Sequence, residues 1–511
     1  MRRNHSVRAI ALAASLTAAY LTVACLPGCQ DGSAGTAGDE ATGQATPEVA
    51  QPGRSVIVVL IDTLRADHTS LHGHRLGRQT TPALDALAEQ SYVFDRAYSA
   101  ASWTRPSVAS LITGRLPSSH GCEDRDGVLA PDLTTLAEAY GSAGFQTSGV
   151  VTNGQILDIY GFDQGYDRYV HVKDSPRNAY VNAKRFIQPA LTAIDTLDRS
   201  QPYFMYLHLV DPHDPFRHHD DTDFDPAYDG EMSGSREALE PFRWSAPEPD
   251  AKQRVIDLYD GEILWMDGQL QRLFAALDDR GVLDDAWLLV TSDHGEGLWD
   301  HRIQSHGQEV FEHQVHVPLM LRPPGGLAGR VDLADPISSI DLAPTLLELS
   351  GLVPPAGFDG VSWASALTTG ALPPARPVVI DEKLNGVHMV GIIDGDTKLI
   401  LDLEKQGDVF SPIERARVSK ARLFDLATNP GEDPDLAIDV RQRGTPEATA
   451  LHRQLVATLA AAEARADELG AVGPAVESDE QLEALRALGY LGEDAPPEDE
   501  NDNPTDGPQD G

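Results

Sequence analysis

Cysteine is nearly absent: the chain has three in 511 residues, and two of them, Cys25 and Cys29, stand close to the amino terminus. Only Cys122 remains in the body, so neither an internal disulfide framework nor a cysteine-based zinc site is available there. Any metal must be held by oxygen and imidazole. Basic residues are also scarce, 40 Lys and Arg against 79 Asp and Glu, for a formal net charge of −39. That balance excludes a nucleic-acid partner. The Gly-containing run TSDHGEG (Thr291 to Gly297) is surrounded by neither a Walker pattern nor a dinucleotide fingerprint, and no G-x-S-x-G elbow occurs. No repeat of fixed period is visible, which removes solenoids and propellers.

What is present is an ordinary globular composition, 41% hydrophobic and 23% charged, with enough apolar mass for a sizeable core. Arg2, Arg3 and Arg8 precede an apolar run from Ala9 to Ala24. This reads as a secretory signal peptide, too short and too Ala-rich for a membrane span. Cys29, after Leu26 and Gly28, fits the acylated cysteine of a bacterial lipoprotein. Cys25 is the second candidate, and plain signal-peptidase cleavage is the alternative. All three readings export the chain, to the periplasm or cell surface or as a secreted protein, with a membrane touched only through the anchor.

Five segments follow from composition and periodicity: a signal segment at 1–29, a flexible linker at 30–53, an α/β domain at 54–373, a smaller C-terminal α+β subdomain at 374–491, and an acidic tail at 492–511. In the α/β domain, short apolar strands such as SVIVVLID (Ser55 to Asp62), YFMYLHLV (Tyr203 to Val210), WLLVTSD (Trp287 to Asp293) and VPLMLR (Val317 to Arg322) alternate with helical patterns. This is the βαβ rhythm of a large α/β sheet. A long helix is expected across Gly261 to Asp279, and a final one from about Pro446 to Leu469. The stretch Asp211 to Asp250, rich in Asp, His and Pro, reads as a loop over the site.

In an open α/β sheet, ligands collect outside the carboxyl ends of the strands. Asp62 closes one apolar strand, Asp293 and His294 close another, and Asp211 and His213 follow a third. Taken singly, each is an ordinary turn or N-cap residue. Together they deliver carboxylate and imidazole to one edge. Thr104 lies two residues before Pro106, at the start of an apolar-periodic helix, where it is either a simple N-cap or a hydroxyl set in the helix field. That field contributes only about 1 kcal/mol, so a cation touching the oxygen must supply most of any activation. His68, His72 and His74 read as structural or solvent-facing, and His218 and His219 as part of an exposed loop.

The ordered motifs VVLIDTLRADHTSLHGH, PSVASLITGRLPSSHG, DPHDPF, TSDHGEGL, SHGQEVFEHQVHVPLMLRPPG, SSIDLAPTLLELSGL and LFDLATNPGEDPDLA, spread over about Arg54 to Gly492, resemble the sulfatase family within the alkaline phosphatase superfamily. The resemblance implies a large mixed, mostly parallel sheet flanked by helices. It implies that Asp62, Asp293 and His294 bind a divalent metal, with Thr104 in the nucleophile position. It places His213 and His306 beside the substrate or leaving group, and Asp211 as a support for His213. Two departures stand out. Sulfatases proper carry Cys or Ser, matured to formylglycine, where this chain has Thr104, and Val108 occupies the place of the family's helix arginine, leaving Arg105 as the candidate anion-stabilising cation. Many calcium sulfatases have two adjacent carboxylates where this chain has Asp62-Thr63.

Those ligand types favour one Zn or Mn ion, with Ca or Mg allowed. The expected activity is hydrolysis of a sulfate or phosphate ester of a small molecule, lipid or glycan. Attack by Thr104 would be helped by the metal and Arg105, with His213 or His306 as proton donor. The alternatives are a phosphoryl-group transferase acting on a lipid or glycan, and a non-catalytic relative that binds such an anion.

Overall fold

The computed structural model describes residues 53–173, 181–301, 303–384, 386–406, 409–441 and 444–470, with scattered positions up to 482. The signal segment, the linker up to residue 52 and the acidic tail expected from the sequence lie outside the described residues. Nine strands build the larger sheet: β1 (Ser55–Ile61), β2 (Tyr92–Tyr98), β3 (Gln146–Val151), β4 (Arg168–His171), β5 (Tyr203–Leu209), β6 (Ala286–Ser292), β7 (His316–Arg322), β8 (Val331–Leu333) and β9 (Ile337–Ser338). Their order is β4-β3-β5-β1-β6-β7-β2-β8, with β9 also on β2. All pairings are parallel except the two made by β7.

β1 shows why the sheet has two covered faces. Its residues SVIVVLI are all buried, the pattern of a central parallel strand with helices on both sides. Ile57, Val59 and Ile61 point into a core shared with the helices Pro82–Ala88, Ala183–Asp195 and Pro249–Asp279. Val56, Val58 and Leu60 point the other way, toward the helices Thr104–Thr113, Leu136–Ser142 and Leu342–Leu349.

The second sheet is an antiparallel meander of β10 (Val378–Leu384), β11 (Val387–Asp394), β12 (Thr397–Gln406), β14 (Arg417–Asp425) and β15 (Ile438–Asp439), with β13 (Val409–Phe410) paired to β12. The helix Pro446–Ala466 lays Ala448, Leu451, Leu455 and Leu459 on one face of it. Ala100, Leu116 and Ile340 of the larger unit join the same core. The other face meets Tyr98, Val310, Phe311 and Val315.

The long helix starts at Pro249, twelve residues before the start expected from periodicity. Its first turns carry charges that hide the apolar stripe, but those charges have partners: Asp257 and Asp260 both pair with Arg78. Val255, Ile256 and Tyr259 on the same turns are buried.

Candidate active site

The register of β1 brings the chemistry together. Ile61 pairs with Ser292 on β6 and with Leu209 on β5, so Asp62 and Asp293 sit side by side one residue beyond the last rung. Leu60 pairs with His208, and partners in a parallel ladder share a face. His208, Asp62 and Asp293 are therefore presented on the same side of the sheet as the helix Thr104–Thr113. Asn153 follows the end of β3 on the next strand over.

Thr104 is the first residue of its helix; Trp103 is the cap, and it makes no side-chain capping bond. The threonine hydroxyl thus turns into the cluster rather than back onto its own helix. Its Oγ1 lies 3.3 Å from His294 Nε2, and the Asn153 amide donates to it at 3.4 Å. Asn153 also donates to Asp62 Oδ2 at 2.5 Å. His294 Nδ1–H donates to the Gly295 carbonyl at 2.8 Å, which leaves the Nε2 lone pair facing the carboxylates. That atom is 3.6 Å from Asp62 Oδ1 and 3.5 Å from Asp293 Oδ2. Asp293 Oδ1 is held by the backbone N–H groups of Thr63 and His294.

This cluster is fully enclosed, with Asp62, Thr104, Asp293 and His294 all buried, and its electrostatics are unbalanced. Burial pushes the Asp62 carboxyl well up, and the charge of Asp293 pushes it further. Burial would raise Asp293 too, but His294, His208 and the Thr63 N–H hold it below the usual range. Burial lowers His294 to about 4, so the ring is neutral. Asp62 Oδ1 and Asp293 Oδ2 have no hydrogen-bond partner. Donors about 2.1 Å from a Zn-sized ion stand roughly 3 to 3.6 Å from each other, which is the spacing seen. The residues present therefore fit a divalent cation.

Two histidines flank the cluster, each held by a carboxylate through Nδ1. His213 Nδ1 lies 2.9 Å from Asp214 Oδ1 and His306 Nδ1 lies 3.2 Å from Glu296 Oε1. The His306 ring packs against both His213 and His294, with centroids 4.9 Å and 4.5 Å away. Burial alone would lower His213, but the hydrogen bond and charge of Asp214 raise it to about 10. Burial and the charge on His213 lower His306 to about 3.

Two roles expected from the sequence change place. The carboxylate on His213 is Asp214, whereas Asp211 accepts the Ala183 N–H at the start of its helix. Arg105 is not brought to the cluster. Its guanidinium donates to the carbonyls of Arg125, Gly127 and Gln155 and to Gln155 Oε1, and it stacks on Tyr160 at 3.6 Å. It fastens the chain beside the helix. Val108, at the family's arginine position, is core.

Three further residues were not singled out by sequence. His208 is completely buried inside an otherwise apolar strand, with neither ring nitrogen hydrogen-bonded and Nε2 4.0 Å from Asp293 Oδ2. Asn153 anchors both Asp62 and Thr104. Glu382 on β10 accepts from the N–H and Oγ of Ser102, both at 2.8 Å, and so ties the smaller sheet to the segment leading into Thr104. Thr63 adopts φ 55°, a costly conformation for a β-branched residue.

His68 and His74 meet at a separate buried point, where both contact Asp260, at 2.6 Å and 3.1 Å. These donors lie close enough together to hold an ion, but Arg78 already reaches Asp260 Oδ2 at 2.5 Å. A cation is thus built in, and the group pins the loop after β1 to the long helix. His218 pairs with Asp223. His219 pairs with Glu262 and stacks on Trp265.

A mixed sheet with carboxylates, imidazoles and a helix-start hydroxyl at its carboxyl edge defines an ester hydrolase of the alkaline phosphatase superfamily. The sulfatase family profile matches residues 54–352, and the chain belongs to the sulfatase family. It is similar to an arylsulfatase of Clostridium perfringens, 23% identical over 381 residues, which is 60% of this chain and 77% of that protein. Among solved structures, the phosphonate monoester hydrolase of Agrobacterium radiobacter superposes with a TM-score of 0.62 at 19% identity, covering 81% of this chain and 96% of that one. A solved structure in complex with its substrate D-glucosamine-2-N,6-O-disulfate gives a TM-score of 0.62 at 19% identity, over 81% and 98% of the two chains. Among the described residues, no helix is long and apolar enough to cross a membrane.

Proposed function

We propose that the protein is a metal-dependent hydrolase of a sulfate or phosphate ester in which Thr104 is the nucleophile. The observation that carries this reading is the position of Thr104 Oγ1, 3.3 Å from the lone-pair nitrogen of His294, which in turn faces two carboxylate oxygens without hydrogen-bond partners. Asp62, Asp293, His294 and Thr104 would hold the cation, with Zn or Mn favoured by the mixed oxygen and imidazole donors. When bound, such an ion offsets the two carboxylates, favours the alkoxide form of a neighbouring hydroxyl and stabilises charge on an ester oxygen.

The chain's own residues do the rest. Asn153 and the helix start orient the Thr104 oxygen for in-line attack, and the helix field favours its alkoxide by about 1 kcal/mol. With the hydroxyl proton already released to solvent, a bond forms from the Thr104 Oγ1 alkoxide to the central phosphorus or sulfur as the bond to the leaving oxygen breaks. His213, kept protonated by Asp214, gives its proton to that oxygen. Water then attacks the same central atom, passes a proton to His213, and restores Thr104. His306, neutral and held by Glu296, lies beside this path.

The resemblance implies that a formylglycine hydrate expels sulfate by breaking its own C–O bond. Threonine has no second hydroxyl, so both half-reactions here occur at the central atom, which favours phosphorus. The phosphonate monoester hydrolase neighbour agrees with that preference, and the glucosamine disulfate complex keeps sulfated glycans among the substrates. Export, with an acyl anchor on Cys29 or Cys25, completes the reading.

The test is metal analysis of purified protein followed by assays with 4-nitrophenyl sulfate, 4-nitrophenyl phosphate and bis-4-nitrophenyl phosphate. The expected result is one divalent ion per chain and ester hydrolysis that Thr104→Ala abolishes. Hydrolysis unchanged by that substitution would remove Thr104 as nucleophile.

A further inference from the structure

The strand YFMYLHL (β5) contains one residue that the packing of the sheet does not explain. His208 is 0% exposed, and neither of its ring nitrogens has a hydrogen-bond partner. Leaving a buried polar group unpaired costs about 1–3 kcal/mol, and a leucine would satisfy the same apolar strand with no such loss. Yet His208 is aimed into the cluster. Its Nε2 faces Asp293 Oδ2 at 4.0 Å, beyond hydrogen-bonding distance, and the two atoms together with an Asp62 oxygen lie within 4.8 Å of one another. Both of those carboxylates also carry an oxygen with no partner. These two buried atoms, neither of them hydrogen-bonded, lie close enough together with the Asp62 oxygen to share one cation.

We infer that His208 is a further ligand of the same cation, so that the site has two imidazoles, two carboxylates and the Thr104 hydroxyl. This rests on the metal-dependent reading above and extends it. It also answers the departure at Asp62-Thr63. Thr63 does not supply a second carboxylate on β1; the neighbouring strand β5 offers an imidazole instead, on the same face by ladder register. Two nitrogen donors shift the site away from calcium and magnesium, which prefer oxygen, and toward zinc.

The experiment compares the full chain with His208→Leu and His208→Gln, each stripped with a chelator and titrated with Zn²⁺ or Mn²⁺ alone. Removing an outer-shell partner typically weakens metal binding 10–100-fold, so loss of a direct ligand should lower affinity by about 100-fold or more. X-ray absorption of the zinc-loaded wild type should show two imidazoles on one ion, and that of His208→Gln should show one. In the metal-free state His208→Leu should melt at or above the wild-type temperature, while the rise on adding Zn²⁺ shrinks. A purely structural histidine gives the opposite pattern, with a lowered metal-free melting temperature and unchanged affinity, and that result overturns the inference. Two ions in the wild type, reduced to one in His208→Leu, overturn it as well. If wild type and both variants bind no metal at all, the broader metal-dependent reading fails instead, so the two failures are distinguishable.

Discussion

Replacing Glu382 by glutamine should make the protein progressively more stable than wild type as the pH rises. The Glu382 carboxyl is fully enclosed and accepts the N–H and Oγ of Ser102, and burial pushes it from its ordinary value of 4.5 up to about 8. The folded state therefore keeps its proton between those two values while the unfolded chain releases it. Stability from this group is fully present below about pH 4.5 and is lost as the pH rises toward 8. Between pH 5.5 and 8 the loss is about 3 kcal/mol, at roughly 1.4 kcal/mol per unit. Glutamine offers the same acceptor oxygen to Ser102 and has no proton to lose. Guanidinium unfolding at pH 5.5 and pH 8 checks the difference, and comparing the two chains cancels the titration of the histidines. Wild type should lose about 3 kcal/mol more than Glu382→Gln over that window. Glu382→Leu should be less stable than Glu382→Gln at both pH values, because two buried donors lose their acceptor at about 1–3 kcal/mol each. Identical pH dependence in wild type and Glu382→Gln would refute the claim that this carboxyl is buried and neutral.

Two other substitutions separate roles. His213→Gln should lower turnover of alkyl esters by about 10²–10⁴-fold and that of 4-nitrophenyl esters much less, because a good leaving group needs no proton; equal losses on both would remove His213 as the acid. Asp260→Asn should destabilise the fold by about 1–3 kcal/mol in a denaturation experiment, since His68, His74 and Arg78 lose a buried charged acceptor although Arg78 keeps Asp257, while the metal content of the purified protein stays the same. A loss of one bound ion would instead identify His68, His74 and Asp260 as a metal site.

Much of the scaffold was legible because strand and helix periodicity survive burial. Ser55 to Asp62 was expected as a strand and Ser55–Ile61 forms one; Trp287 to Asp293 was expected and Ala286–Ser292 forms. Within the site, strand-end carboxylates are legible because polar atoms there have no structural need to follow an apolar run. What stayed hidden depends on direction. Arg105 adjoins Thr104 in sequence, yet nothing in sequence reveals that its guanidinium turns back onto carbonyl groups of residues 125 to 155. His208 looked like part of a core strand because period-two alternation reports burial and not what the buried group faces. Asp211 and Asp214 are both close to His213 in sequence, and only the turn decides that Asp214 is the one that meets the ring.

Asp62 and Asp293 are delivered by neighbouring strands, although 231 positions of chain separate Ile61 from Ser292, whose carbonyl and hydroxyl are joined. No early intermediate built from the amino-terminal half can assemble the pair. If the proposed cation binds, it can select only a chain whose sixth strand has already docked, and its grip would be felt in how slowly the native molecule comes apart rather than in how quickly it forms. An ion held as proposed would be a late lock on the finished sheet, not a seed for it.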